Sequence, residues 1–380
     1  MMEEGKEPGT LTRTNNYRVL LPLRILQFFL LFLFLGLGFS VVSMYMIRFF
    51  GVQNVFPLAE SSFKTCFEEP SSLERWIRPP SNLLHTMNDT ELFWRASFVP
   101  RINRYPFKRI PKIAFMFLTR GPLPLAPLWE RFFRGHEGLY SIYIHSLPSN
   151  APNFTASSVF YGRQIPSQVA EWGMMSMCDA ERRLLANALL DVSNEWFVLL
   201  SESCIPLHNF SIIYRYISRS RYSFMGSFDE PGPYGRGRYN WNMAPEVHLT
   251  QWRKGSQWFE INRKLAVSLV EDTIFYPKFK EFCRPSCYVD EHYFPTMLSI
   301  QAPHLLANRS VTWVDWSRGG PHPATFGKAD IKKAFFQRIF EHSSCIYNNQ
   351  PSALCFLFAR KFSPSTLNSL LGIASEVLGF

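Results

Sequence analysis

The segment Val289-Asp-Glu-His-Tyr-Phe places two neighbouring carboxylates, Asp290 and Glu291, at the start of an apolar-periodic stretch. A carboxylate so placed can serve as a general base if a hydroxyl comes within ~2.6–3.2 Å of it. It can also simply complement the positive end of a helix, and by pattern alone this second reading is favoured. Lys361 follows an apolar run and precedes Ser363-Pro364, a helix-start signal. That location suits anion binding, although a solvated lysine reads the same way. His292, His304 and His322 have no ligand spacing, and Cys283-x₃-Cys287 lacks a second half for zinc. No G-x-G-x-x-G or G-x-x-x-x-G-K-[ST] occurs, so neither a dinucleotide nor a nucleoside triphosphate is signalled.

These residues need a scaffold. Lys112–Leu118 and Glu195–Leu200 are short apolar runs bounded by breakers, the signature of buried strands, and Tyr140–His145 reads as a strand between them. Leu125–Phe133, Met175–Asp191 and Asn209–Ile217 read as helices, the last capped by Asn209. Tyr222–Phe228 is expected as a strand, as is Ala353–Ala359, and Ser365–Leu378 as a terminal helix. Residues 258–272, 290–301 and 329–342 are helix-bearing. The alternation predicts an α/β doubly wound sheet with ligands at the carboxyl ends of its strands. Residues 229–257, rich in Gly, Pro, Arg and aromatics, are too long for a plain connection, and such loops are usually functional.

At 47% hydrophobic and 16% aromatic, the composition demands a packed core and excludes a disordered chain. The net charge of +10 is not gathered into a run of five or more basic residues, so no nucleic-acid partner is expected. Residues 25–47 are uncharged and reach ~34 Å as a helix, enough to span a bilayer and longer than the apolar region of a cleaved signal. Lys6, Arg13, Arg18 and Arg24 precede this stretch, whereas only Arg48 and Lys64 closely follow it. The bias predicts a single-pass type II protein with its N-terminus cytoplasmic. The expected organisation is a tail over 1–24, an anchor over 25–47, a Pro-rich stem over 48–109 and a luminal domain over 110–380. Four sequons, at Asn88, Asn153, Asn209 and Asn308, and all seven cysteines then fall on the luminal side, where glycans and disulfides can form. Cys283/Cys287 and Cys345/Cys355 could each bridge locally or pair elsewhere, and the odd count leaves at least one thiol over.

The ordered blocks KIAFMFLTRG, YSIYIH, EWFVLLSESCIPL, YSFMGSF, RKGSQWFEINRKLA, CYVDEHYFPTML, VTWVDWSRGGPHPATF and CFLFARKF resemble the land-plant branch of the core-2/I-branching β-1,6-N-acetylglucosaminyltransferases, over roughly residues 110–362. The resemblance implies a GT-A-like fold, inversion at the sugar carbon and no bound metal. In keeping with the last point, no Asp-x-Asp occurs in the chain. Fixed cations would then stabilise a departing diphosphate. By the same resemblance, Glu291 is the base with Asp290 as back-up, Lys361 contacts the donor diphosphate, and Arg318 or Lys328 supplies a second cation. Trp316 lies under the acceptor sugar, and Glu230, Arg236 and Arg238 are acceptor contacts.

The expected function is a metal-independent inverting transfer in the Golgi membrane, from a UDP-sugar to a glycan or glycoprotein hydroxyl, with no cofactor. N-acetylglucosamine is the first donor sugar to consider, with glucuronate and xylose as alternatives. A non-catalytic glycan-binding protein on the same fold is the alternative of a different class.

Overall fold

A computed structural model describes residues 23–49, 73, 80, 82–100, 105–341 and 344–380. Lys6, Arg13, Arg18, Lys64 and Cys66, which entered the topology and thiol arguments, lie outside the described residues. The chain divides into two units, Met1–Glu69 and Pro70–Phe380. In the first, helix α1 (Leu23–Phe49) carries a stretch, Leu23–Met46, long and apolar enough to cross a membrane, and none of it is buried.

The second unit is built on a four-stranded sheet. Its strands are β1 (Lys112–Leu118), β2 (Tyr140–His145), β3 (Asn194–Ser201) and β5 (Glu260–Asn262), in the order β2-β1-β3-β5. β1 is parallel to β2 and to β3, and β5 is antiparallel to β3. Alternation along each strand divides the core in two. Ala114, Met116 and Leu118 of β1 and Phe197 and Leu199 of β3 face one cluster; Ile113, Phe115, Phe117, Trp196, Val198 and Leu200 face the other. Helices cover both faces, which is why the strands read as continuous apolar runs. On the first face lie α2 (Asp89–Ala96), α4 (Met175–Leu189), α6 (Arg263–Glu271), α7 (Phe275–Phe282) and α8 (Val289–Gln301). On the second lie α3 (Ala126–Phe133), α5 (Phe210–Ser218), α9 (Lys333–Glu341) and α10 (Leu367–Ile373). The fold is mixed α/β with a parallel core, as a GT-A-like enzyme requires.

The helix α2 falls in the stretch that proline content marks as stem. Asn88 and Glu91 form a capping box at its start, and Leu92 and Ala96 are buried in the first core cluster. Arg183 of α4 clamps Asp89 through two bonds of 2.7 and 2.6 Å. The packed unit therefore takes in residues well before 110.

A second, three-stranded sheet orders β4 (Ile205–Pro206), β9 (Phe358–Arg360) and β6 (Thr312–Val314) as β4-β9-β6. Two expected strands are corrected. Tyr222–Phe228 is not a strand: Ser223, Phe224 and Phe228 make isolated bridges to three different segments, because no single partner runs alongside them. The strand expected over Ala353–Ala359 is confined to Phe358–Arg360. The residues before it serve the hairpin of β7 (Cys345–Tyr347) and β8 (Gln350–Ser352), which the Cys345–Cys355 disulfide ties down. Cys283 and Cys287 also bridge locally, and Cys178 and Cys204 are free and buried.

Candidate active site

The parallel strands end at the wall of a cavity of about 480 Å³. Leu118, Thr119 and Arg120 come from the end of β1, His145 from β2, and Ser201, Glu202 and Ser203 from β3. The end of β9 adds Arg360 and Lys361. Main-chain bonds hold β9 there: Phe362 N–H donates to Ser203 O at 2.9 Å, and Lys361 O accepts from Phe326 N–H at 2.9 Å. The Arg360 guanidinium lies 4.1 Å from the Trp258 ring centre, and its Nε has no hydrogen-bond partner among the described residues. Burial, Arg360 and Arg120 push the Lys361 ammonium below its ordinary range, with Glu202 opposing. Three cations thus converge on one cavity with one nearby carboxylate, an arrangement that an anionic ligand would relieve.

A second cavity of about 630 Å³ shares Trp172 with the first. It is lined by Glu230, Tyr234, Arg238, Lys254, Tyr288, Glu291 and Trp316, and by Gly320 and Pro321. Glu291 sits in the first turn of α8, with Lys254 Nζ 3.3 Å and Arg238 Nη1 3.7 Å from its Oε2. Pro295 explains part of this geometry. Proline has no N–H to donate to the carbonyl four residues back, which is that of Glu291. Gly255 N–H takes that carbonyl instead, at 2.8 Å. Residue 255 must be glycine, since a Cβ there would meet Gly226 O at 1.9 Å. The helix interruption therefore docks the strap that carries Lys254 against Glu291.

The long loop 229–257 is ordered by its own contacts. Phe228 and Lys254 exchange two main-chain bonds of 2.8 Å at its base. Arg236 forks onto Asp229 at 2.7 and 2.6 Å. Trp252 is buried between Phe279 and His292 and donates to Gly235 O at 3.0 Å. Arg236 is thus occupied within the loop, whereas Glu230 and Arg238 reach the cavity.

Of the residues singled out by sequence, four meet in the second cavity: Glu291, Trp316, Glu230 and Arg238. Lys361 lies in the first. Arg318 and Lys328 do not join it. Arg318 lines a separate cavity of about 750 Å³ beside Trp313, Phe326 and Phe335, and Lys328 is exposed on a short helical turn. Sequence adjacency to Trp316 misleads here, because the loop after β6 turns Trp316 and Arg318 to different cavities. Strand alternation would point Arg360 away from Lys361. Both line the first cavity, since β9 ends at Arg360 and alternation does not extend past it. Asp290, the back-up base, is 3% exposed and lines neither cavity. His292 is a core residue, but His322 lines the first cavity, 4.9 Å from Trp172.

Sequence reasoning missed Arg120, Trp172, Lys254, Gln257 and Tyr288. Tyr288 had a signal only in three dimensions: its φ of 57° is unusual for an aromatic residue, and its ring lies 4.2 Å from the Arg238 guanidinium. Among the described residues, no group of three or more His, Cys, Asp or Glu is placed to hold a metal ion.

Burial sets the acid–base state of the core beneath the site. It pushes Asp290 up to about 7, with Glu291 adding to the effect, and Glu260 to about 8. It pushes His145 down to about 4 and His292 to about 3. The buried carboxyls hold protons on folding, so their contribution is full below the ordinary carboxyl range and is lost as pH rises through 7 and 8. The imidazoles shed protons on folding, so theirs is full above 6.5 and lost as pH falls toward 4. Above pH 6.5 only the carboxyl contribution still changes. The thermal midpoint of the protein should therefore fall between about pH 6.5 and 8.5, and Glu260→Gln should flatten that slope. A midpoint that rises over this window would show that these carboxyls are not held neutral.

The Core-2/I-Branching enzyme family model matches residues 113–340, which contain the whole lining of the second cavity and that of the first except Arg360 to Pro364. Glycosyltransferase BC10 of Oryza sativa subsp. japonica is 37% identical over 308 residues, which cover 69% of this chain and 76% of that protein. With a parallel sheet presenting one cation-rich and one carboxylate-bearing cavity side by side, the chain belongs to the core-2/I-branching enzyme family of glycosyltransferases.

Proposed function

We propose that the protein is a metal-independent inverting glycosyltransferase that moves a sugar, N-acetylglucosamine first among the candidates, from a UDP donor to a glycan or glycoprotein hydroxyl. The observation that carries this reading is the pair of cavities that share Trp172, with Arg120, Arg360 and Lys361 in one and Glu291 in the other. In the reaction, Glu291 takes the proton of the acceptor hydroxyl as its oxygen bonds to the sugar C1. The bond from C1 to the diphosphate breaks, and its electron pair goes onto the departing phosphate oxygen. Lys361, with Arg360 and Arg120, stabilises the charge that develops there. Trp316, half-exposed at the rim, offers a flat apolar face to the acceptor ring, while Glu230 and Arg238 offer polar contacts. Lys254 and Arg238 stand beside Glu291, within 3.3 and 3.7 Å of its Oε2, and orient the carboxylate.

We place the enzyme in the Golgi membrane as a type II protein, anchored by α1 with the transferase unit luminal. Of the four sequon asparagines, Asn153 is exposed and has no side-chain bond among the described residues. Asn88, Asn209 and Asn308 use Oδ1 to accept backbone N–H groups, which leaves Nδ2 as the atom that would carry a glycan.

The test is UDP release by the purified chain with UDP-N-acetylglucosamine, UDP-glucuronate and UDP-xylose, in EDTA and with glycan acceptors present. Release from one donor that persists in EDTA is expected. Strict dependence on added Mn²⁺ would overturn the role given to the three cations. Absence of both release and UDP binding would favour a glycan-binding protein on this fold.

A further inference from the structure

Glu181 is a carboxyl without a charge partner in the middle of a core. It lies on α4 with no exposed surface, in the helix turn that also buries Leu184 and Leu185. One oxygen accepts a hydrogen bond from Gln257 Nε2 at 2.7 Å, and the other, Oε2, has no partner among the described residues. Asp290, also buried and also with one unpartnered oxygen, raises the proton affinity of Glu181 further. Burying polar atoms without full hydrogen bonding costs stability, and an apolar side chain would pack this position better. Core packing therefore does not account for Glu181.

Its partner does. Gln257 lies in the strap that runs from Lys254, beside Glu291, to Trp258, under Arg360. One end of the strap is thus at the proposed base and the other at the proposed diphosphate site, so Gln257 lines the donor cavity between them. The transferred sugar must bridge the same two places. With Nε2 engaged by Glu181, the amide group left for the cavity is Oε1, which takes no protein partner among the described residues. Behind it stand two buried carboxyl groups. At this point the chain presents to the cavity one acceptor, the Gln257 amide oxygen, since neither carboxyl behind it reaches the lining.

Building on the transferase reading above, we infer that Gln257 reads the donor sugar and that Glu181 is the positioning residue that orients its amide. The pair selects a neutral sugar that offers an O–H or N–H group at this point, and it disfavours a hexuronate whose carboxylate, placed here, would meet the Gln257 amide oxygen. This separates the candidate donors: UDP-N-acetylglucosamine and UDP-xylose are accepted and UDP-glucuronate is not.

The experiment measures dissociation constants of UDP and of the three UDP-sugars for the detergent-solubilised full chain and its Gln257→Ala and Glu181→Gln variants. Gln257→Ala should weaken the neutral UDP-sugars about tenfold, the loss of one hydrogen bond, and leave UDP itself unchanged. Glu181→Gln, nearly isosteric, should erode the same selectivity without lowering the thermal midpoint. Equal weakening of UDP and the UDP-sugars, no change in either, or a wild-type preference for UDP-glucuronate would overturn the inference while leaving the transferase reading in place. A wild type that binds no UDP species would overturn both.

Discussion

Glu291→Gln should lower the rate of sugar transfer by about 10²–10⁴, the usual worth of a positioned general base. Glutamine keeps the shape and the polar contacts to Lys254 and Arg238 but cannot accept a proton. The affinity for UDP should not change, because the cations that hold the diphosphate lie in the neighbouring cavity and Glu291 does not line it. Single-turnover transfer and UDP binding, measured on the same preparation, separate these effects. Full activity in the variant would move the base elsewhere. Asp290 would not be its replacement, since it is buried behind the cavity wall and burial favours its protonated form. Loss of both transfer and binding would make Glu291 a residue that holds the strap, a role already served by its backbone carbonyl through Gly255.

Lys361→Ala should cost about 10²–10³ in transfer and, unlike the change at Glu291, should weaken UDP as well. The ammonium is partly buried beside Arg360, so a charge removed there is not replaced by solvent at the same point. Lys361→Arg should recover only part of the loss, because a guanidinium fork does not reproduce a point charge in a fitted wall. The informative comparison is with Arg318→Ala and Lys328→Ala. Both cations were candidates from sequence, and both should leave UDP affinity and transfer near wild type, since neither lines the donor cavity. Arg120→Ala should instead weaken UDP in the same direction as Lys361→Ala. If Arg318→Ala proved as damaging as Lys361→Ala, the loop after β6 would have to close over the donor in the working enzyme.

Local pattern was enough for the elements whose environment is uniform. β1 and β3 are buried on both faces, so their apolar runs mark them without reference to the rest of the chain. The cap at Asn209 and the apolar span of α1 are equally local, and each was legible. The charged triplet Glu181-Arg182-Arg183 was not. On one helix it reads as a solvated face, yet all three residues are buried. Arg182 caps the end of α6 through Leu269 O and Val270 O, Arg183 clamps Asp89, and Glu181 meets Gln257. Each of those partners lies at least 76 residues away in sequence.

The site divides in the same manner. Glu291, Lys361 and Trp316 could be named as candidates from motifs, and Glu230 and Arg238 from their place in the long loop. Which of them share a cavity could not. Arg120 and Lys361 are neighbours only because β1 and β9 end at one place, and Arg318 is excluded only because the loop after β6 turns it outward. Pro295 was visible in the sequence as a helix breaker, but the helix continues through it, and its effect is to free the Glu291 carbonyl for Gly255. Sequence alone determined the central strands β1, β2 and β3, the segment apolar enough to cross a membrane and the residue types available for transfer, since these follow from period and local chemistry. Tertiary structure decided which cations meet in the first cavity and what stands beside Glu291, because those are contacts between chain segments far apart in sequence, and no local pattern records them.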